Sequence, residues 1–126
     1  MRPTSITDVR TVAINVTNQD DALGFYVDTL GFEKRLDVPM TAKTRWIEVA
    51  PSGATTSIAI NTGQGTGDGG SDTGIRFTVP DAEAEHTSMR ERGVTVGDLL
   101  RRDGVPPMYT FDDPDGNRLY VVEEMR

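Results

Sequence analysis

The stretch TVAINVTNQDDALGFYVDTLG, residues 11–31, decides the fold of this chain. Its first residues alternate, with apolar side chains on one face from Val12 to Val16, which is the period of a β-strand with one buried side. Asn18 and the acidic residues after it then start a helix, because side-chain oxygens and negative charge suit a helix N-terminus. Gly31 ends the helix. The stretch therefore predicts a strand that leads into a helix packed on the strand's apolar face.

A second copy of this pattern occupies the other half of the chain. GIRFTV (Gly74–Val79) matches the opening strand, and the helical stretch DAEAEHTSMRERGV (Asp81–Val94) follows it. In each copy two further strands are joined by a Pro-x-Gly turn, at Pro51–Gly53 and at Pro114–Gly116. A repeat of roughly 60 residues is too long for a solenoid unit and suits a duplicated βαβββ module.

The glycine-rich segment GQGTGDGG, residues 63–70, lies between the two copies. A dinucleotide-binding loop needs a helix immediately after its glycines, whereas a strand follows here. A flexible linker is the better interpretation. We predict one α+β domain made of a first module (1–62), a linker (63–72) and a second module (73–126).

Composition excludes several classes of protein. The 126 residues contain no cysteine, which rules out disulfides, thiol catalysis and cysteine-ligated zinc. The net charge of −7 argues against nucleic acid or a membrane surface as a partner, since both attract basic patches. The sequence shows no apolar run of signal-peptide or membrane-spanning length, so a cytoplasmic location is expected.

Three motifs resemble the vicinal oxygen chelate superfamily, and they are FYVDTLGFE (Phe25–Glu33), MRERGV (Met89–Val94) and FDDPDGNRLYVVEE (Phe111–Glu124). This superfamily includes glyoxalase I, fosfomycin-modifying enzymes, extradiol dioxygenases and bleomycin-resistance proteins. The resemblance implies two βαβββ modules whose curved mixed sheets enclose a concave pocket, with the helices on the convex faces. It also implies a homodimer, because a second subunit often completes the pocket.

The enzymes of this superfamily hold a divalent metal with His and Glu side chains from four strands. Carried over by motif, the four ligand positions are Thr11, Ala59, Gly74 and Tyr120 in this chain. None of them is a histidine or a carboxylate, and a divalent cation needs several nitrogen or oxygen donors in fixed geometry. The resemblance therefore predicts a chain that has lost the metal site and has no cofactor.

Strand alternation predicts which side chains face the pocket. They combine small residues at the former metal positions with aromatic, arginine and carboxylate side chains. The candidate ligand-binding residues are Thr11, Trp46, Glu48, Ala59, Gly74, Arg76, Tyr109, Phe111, Arg118 and Tyr120. Aromatic rings offer flat stacking surfaces, and arginines pair with anionic groups or stack on rings. The alternative is structural, with Trp46 covering the sheet and the arginines forming exposed cross-strand pairs.

In the strand before the second turn, either of two alternating sets of side chains could face the pocket. Overlaying the two turns makes Tyr109 and Phe111 the inward pair, as equivalents of the tryptophan and glutamate of the first module. In the other parity Met108 and Thr110 face inward.

The remaining histidine, arginine and aspartate side chains that could suggest a site are predicted to have structural roles. His86 lies between polar residues on the second helix and is predicted to be a solvated surface residue. The charged run Arg101–Asp103 is predicted to be an exposed loop. The aspartates of DPDGN (113–117) resemble a metal site, but this sequence is typical of a tight turn.

Three functions stay open. The first is a metal-independent binding protein, similar to bleomycin- and mitomycin-resistance proteins, that sequesters an aromatic or polycyclic molecule such as an antibiotic. The second is a glyoxalase- or dioxygenase-like lyase, isomerase or oxygenase with an altered metal site. The third is a metal-free enzyme that uses Glu48 or Tyr120 for proton transfer. The four lost ligand positions and the aromatic, arginine-containing pocket favour the binding protein.

Overall fold

Each half of the chain forms its own mixed β-sheet in the computed structural model, which describes residues 2–62 and 70–125. The first module contains, in chain order, β1 (Thr11–Asn15), α1 (Gln19–Leu23), β2 (Glu33–Pro39), β3 (Arg45–Ala50) and β4 (Ser57–Asn61). The second contains β5 (Asp72–Val79), α2 (Ala82–Glu91), β6 (Thr95–Val96), β7 (Leu100–Arg102), β8 (Val105–Asp112) and β9 (Arg118–Glu123).

The two sheets repeat one topology. The first has the strand order β1-β4-β3-β2, with β1 parallel to β4 and the other neighbours antiparallel. The second has the order β5-β9-β8-β6, with β5 parallel to β9, and β7 pairs with β8. The predicted α+β fold of two modules with open, curved sheets is thereby confirmed, and each module presents the parallel pair at one edge.

The first helix begins as predicted but changes its winding. The Asn18 side chain caps it by accepting a hydrogen bond from the Asp21 backbone N–H at 2.9 Å. After α1 the chain continues as a π-helix from Gly24 to Thr29, whereas the apolar stripe predicted a continuous α-helix. Gly31 ends it at φ +81°, a conformation that costs glycine little because it has no Cβ.

The two modules share one hydrophobic core. Phe25 of the first module lies 6.4 Å from Phe111 of the second, and Phe32 lies 5.4 Å from Phe77, both measured between ring centroids. Tyr26 is completely buried beside them. Because the helices and the apolar sheet faces are used in this core, the opposite sheet faces stay available for a ligand.

A buried polar network ties the modules at the DPDGN turn, which the structure confirms as a turn. The Tyr26 hydroxyl donates to Asp113 Oδ2 at 2.9 Å, and Asn117 Nδ2 donates to the Asn15 carbonyl at 2.8 Å. Asp113 Oδ1 also accepts from the backbone N–H groups of Asp115 and Asn117. Burial and the neighbouring Asp113 charge raise the pKa of Tyr26 far above its ordinary value, so the hydroxyl stays protonated as the donor.

Three local predictions have different outcomes in the structure. The run Arg101–Asp103 is not a loop, because its first two residues belong to β7 and a turn at Asp103 and Gly104 returns the chain into β8. Gly104 has φ +84°, which permits this tight turn. Residues 63–69 of the predicted linker lie outside the described residues, and β5 already begins at Asp72. Within the described ranges, none of the helices is long and apolar enough to cross a membrane.

Candidate functional site

The open face of the first sheet carries four of the predicted site residues. Glu48 on β3 pairs with Ala59 on β4, and Ala59 pairs with Ala13 on β1, so these three side chains share a face. Trp46 lies two residues before Glu48 on the same strand and therefore on the same face. Thr11 is half-buried at the start of β1. Glu48 is the charged group at the centre of this face, and it is only 5% exposed.

Three side chains hold the Glu48 carboxylate. The Ser57 hydroxyl donates to Oε1 at 2.7 Å, and the Trp46 indole N–H donates to Oε2 at 2.9 Å. Arg10 donates to Oε2 from Nη2 at 3.3 Å. Burial by itself would raise the pKa of Glu48, but the Ser57 hydrogen bond and the Arg10 charge outweigh it and hold the pKa below its ordinary value. The carboxylate is therefore an ionised anchor for the surrounding side chains.

Trp46 is the exposed aromatic group of this face. Its side chain is 42% exposed, although the indole N–H is fixed on Glu48. The Arg10 guanidinium lies 5.9 Å from the indole ring centroid. Val38 on β2 pairs with Trp46, and Val38 and Met40 are exposed next to it. The result is an apolar patch around one oriented indole ring.

The open face of the second sheet carries a second group of predicted residues around Tyr120. The Tyr120 hydroxyl donates to Asp72 Oδ2 at 2.6 Å, and the Arg76 guanidinium lies 4.7 Å from the Tyr120 ring centroid. Arg76 also donates to the carbonyl of Gly74 at 2.9 Å, while Arg118 pairs with Asp112 at 3.4 Å. The Asp72 hydrogen bond raises the pKa of Tyr120, and the same bond lowers the pKa of Asp72.

A cleft of about 810 Å³ lies between the two modules. It is lined by Val12 and Ala13, by residues 51–58 and by residues 73–78. Ser57, which bonds Glu48, lies on one side, and Arg76, which stacks on Tyr120, lies on the other. Small-molecule sites commonly have volumes of about 300–1,000 Å³. Of the predicted site residues, Gly74 and Arg76 line this cleft, whereas Trp46, Glu48 and Tyr120 lie outside its lining.

The placement of Tyr109 and Phe111 on the open face is wrong. Both are buried, and Tyr109 donates a hydrogen bond to Met89 Sδ of α2 at 2.8 Å. The pairing of Thr110 with Tyr120 puts Thr110 on the open face. The alternative parity is correct, because α2 needs large apolar side chains beneath it, and the two buried rings supply them.

The family assignment follows from comparison with known proteins. Residues 9–121 match the model of the Glyoxalase/Bleomycin resistance protein/Dioxygenase superfamily. The chain belongs to this superfamily. The match covers both modules, so it includes both halves of the cleft.

Several superfamily relatives are similar over almost their full length. A solved structure of TnmS3, an antibiotic binding protein from Streptomyces sp. CB03234, is 30% identical with a TM-score of 0.87 and covers 98% of this chain and 100% of its own. A superfamily member from Sphaerobacter thermophilus DSM 20745 is 34% identical with a TM-score of 0.89, covering 96% and 100%. The uncharacterized protein YurT of Bacillus subtilis (strain 168) is 32% identical over 89% of this chain and 95% of its own length.

The residues at the superfamily's metal positions do not fit a metal ion. Ala59 and Gly74 offer no side-chain donor, and the Tyr120 hydroxyl is used on Asp72. Thr11 has only a hydroxyl, a weak ligand for divalent cations in comparison with His or a carboxylate. Across residues 2–62 and 70–125, no group of three or more His, Asp or Glu side chains is placed to hold a metal.

Several residues of the site lie outside the sequence-based set. Arg10 precedes β1, and strand parity would have put it on the helix side, so the sequence carried no signal for its contact with Glu48. Asp72 lies on the same strand as Gly74 and Arg76, an even number of residues away, so alternation would have placed it on their face. It was not predicted because it was assigned to the linker. His86 also differs from the prediction, since it is partly buried, with Nε2 2.8 Å from the Gly97 carbonyl and its ring 4.9 Å from Tyr109.

Proposed function

We propose that this superfamily member is a metal-independent binding protein that holds an aromatic or polycyclic small molecule on the open sheet faces beside the cleft. One observation carries the proposal: the Trp46 ring is 42% exposed, yet its N–H is fixed on the buried Glu48. A large ring that is exposed and already oriented loses little conformational freedom when a planar ligand stacks on it.

The state of the polar groups supports binding over proton transfer. Glu48 accepts three hydrogen bonds and has a lowered pKa, so it is a weak base near neutral pH. Tyr120 has a raised pKa and its hydroxyl proton is engaged by Asp72. General acids and bases act best with a pKa near the working pH, and both shifts move away from it.

The charges beside the rings favour a ligand with polar substituents. The guanidinium groups of Arg10 and Arg76 each lie against an aromatic ring and have further N–H donors. Carbonyl, hydroxyl or carboxylate groups on a polycyclic ring system would be recognised by them. That TnmS3 is an antibiotic binding protein supports an antibiotic as the ligand of this chain too.

We also propose that the functional unit is a homodimer. Val38, Met40, Leu100 and Val105 are exposed apolar side chains, and a second copy would cover such a surface while adding walls to the site. Light scattering after gel filtration should give twice the mass of the 13.8 kDa chain. A monomer at all concentrations would contradict this part of the proposal.

The test of binding is a calorimetric titration with a panel of aromatic antibiotics, bleomycin and mitomycin C among them, on Trp46→Phe and Trp46→Leu. The first variant keeps a ring without the N–H, and the second keeps apolar bulk without a ring. We expect Trp46→Leu to weaken binding by about 1 kcal/mol or more, about five-fold, and Trp46→Phe to weaken it less. Equal affinity in both variants and the native protein would refute the stacking role.

Elemental analysis decides between the binding protein and the altered-metal enzyme. Protein purified without a metal-affinity tag should contain less than about one-tenth of an equivalent of any transition metal, because the donor set is inadequate. One equivalent per chain, lost together with turnover on chelation, would favour the enzyme.

A further inference from the structure

A second cavity lies on the opposite side of the second sheet from the open face. Its floor is made by alternate residues of three strands whose side chains point toward the helices: Phe77 and Val79 on β5, Phe111 on β8, and Val121 on β9. We refer to this space as the helix-side cavity.

Two helical segments form the walls of the helix-side cavity. On one side are Glu85, Met89 and Arg92 of the α2 region, which follow one another at intervals of four and three residues and so share a helix face. On the other side are Thr29 and Leu30, at the end of the first helix. The cavity thus lies at the junction of the two modules and takes walls from both.

The size and lining of the helix-side cavity match a compact aromatic molecule. Its volume is about 180 Å³. An apolar cavity of about 150 Å³ in another protein stays dry and binds benzene. Phe32, Phe77 and Phe111 line it, with ring centroids 5.4 Å and 6.2 Å apart in successive pairs, spacings at which aromatic rings attract one another. Phe32 and Phe77 are only partly buried, so the space is reachable from solvent.

Two lining side chains, Arg92 and Met89, are held by contacts of their own. Arg92 donates to the Thr29 carbonyl at 2.8 Å, which spans the two walls. The Tyr109 hydroxyl donates to Met89 Sδ beneath the cavity at 2.8 Å and so leaves the thioether methyl group as apolar lining. An apolar space with few convergent polar groups is the usual form of a small-molecule site.

We propose that the helix-side cavity, which adjoins the cleft through Pro51, Phe77 and Thr78, is a second binding site for a compact neutral aromatic hydrocarbon of about the size of benzene or toluene. A ligand there contacts both modules at once. It therefore stabilises their docking and raises the unfolding temperature, as any ligand specific for the folded state does.

The test is a toluene titration followed by the methyl NMR signals of protein labelled at its five methionines. We expect the Met89 methyl signal to shift saturably. Val79→Phe puts a ring into the cavity and should weaken toluene binding at least ten-fold. The matched control is Val9→Phe, the same change at an exposed position ahead of β1 that lines neither cavity, and it should leave the affinity unchanged. Emission of Trp46 should not respond, because it lies on the other sheet.

The inference is wrong if the Met89 signal does not saturate up to the solubility limit of toluene. It is also wrong if toluene binds Val79→Phe as tightly as the native protein. If circular dichroism shows that Val79→Phe is unfolded, Leu30→Phe fills the cavity from the other module, and unchanged affinity in that variant overturns the proposal equally. Shifts of Met89 that follow protein concentration without toluene would show a second copy covering the cavity and would also overturn it.

Discussion

Asn117→Ala should be among the most destabilising single changes in this protein. Asn117 is completely buried, and its side chain makes four hydrogen bonds. It donates to the Asn15 carbonyl at 2.8 Å and to Asp113 Oδ2 at 2.9 Å. It accepts from the backbone N–H groups of Gly70 and Ser71 at 2.9 and 3.2 Å. One side chain thus connects the end of β1, the second turn and the start of β5.

The magnitude follows from these four bonds. Each buried hydrogen bond contributes about 1 kcal/mol net, and a buried group left without a partner costs about 1–3 kcal/mol. Water entering the small space left by the amide recovers part of the loss. We expect Asn117→Ala to lower the free energy of unfolding by about 3–5 kcal/mol, a large share of the roughly 5–15 kcal/mol of a typical domain.

Urea unfolding, followed by Trp46 emission and by far-UV circular dichroism, measures this loss as a shift of the midpoint. The control is Thr17→Val, which removes another side-chain hydrogen bond between the same two regions. The Thr17 hydroxyl donates to Asp115 Oδ1 at 2.6 Å, but this pair is exposed. An exposed bond is worth about 1 kcal/mol or less. The reasoning is refuted if Asn117→Ala costs less than about 1 kcal/mol or if Thr17→Val costs as much.

Three further predictions concern the two sheet faces. Glu48→Gln should destabilise the protein at neutral pH but not in acid. The pKa of Glu48 is lowered in the folded state, so the ionised carboxylate contributes stability above the ordinary pKa, and this stability is lost as the pH falls through the lowered pKa. Urea midpoints of variant and native protein should therefore converge as the pH is lowered, and a constant gap would contradict this. Tyr109→Phe should lower the free energy of unfolding by less than about 1 kcal/mol and leave antibiotic affinity unchanged, whereas Thr110→Trp should alter that affinity in the same calorimetric assay. The reverse result would mean that Tyr109, and not Thr110, faces the ligand. Tyr120→Phe should return the Asp72 pKa toward its ordinary value, measured by carboxyl NMR titration, and should change stability little because the pair is exposed; an unmoved pKa would refute the contact.

Much of the secondary structure could be predicted because each signal is local. The alternation in β1, the Asn18 cap and Gly31 stop of the first helix, and the Asp81 cap of α2 all act within a few residues of the chain. The predicted repeat also has its counterpart in the two sheets of equal topology. The π-helix was missed because an α-helix and a π-helix show nearly the same apolar stripe over one turn.

The candidate site was harder to predict, since its contacts join distant segments. Glu48 and Trp46 were found from strand parity, but Arg10 reaches them from 38 residues away along the chain from Glu48. The parity of β8 was open from sequence because aromatic residues suit either a pocket or a core. Packing against α2 settled it, and that is a property of the assembled module.

The sequence by itself determined the duplicated architecture and the strand faces of β1, β4, β5 and β9, because these depend on residue type and period along the chain. Only the tertiary structure decided that Glu48 is an ionised anchor for Trp46, that Tyr109 and Phe111 belong to the core, and that a second, aromatic cavity lies between the modules. These features arise where separate elements meet, and the energies of such contacts depend on distances that no local pattern encodes.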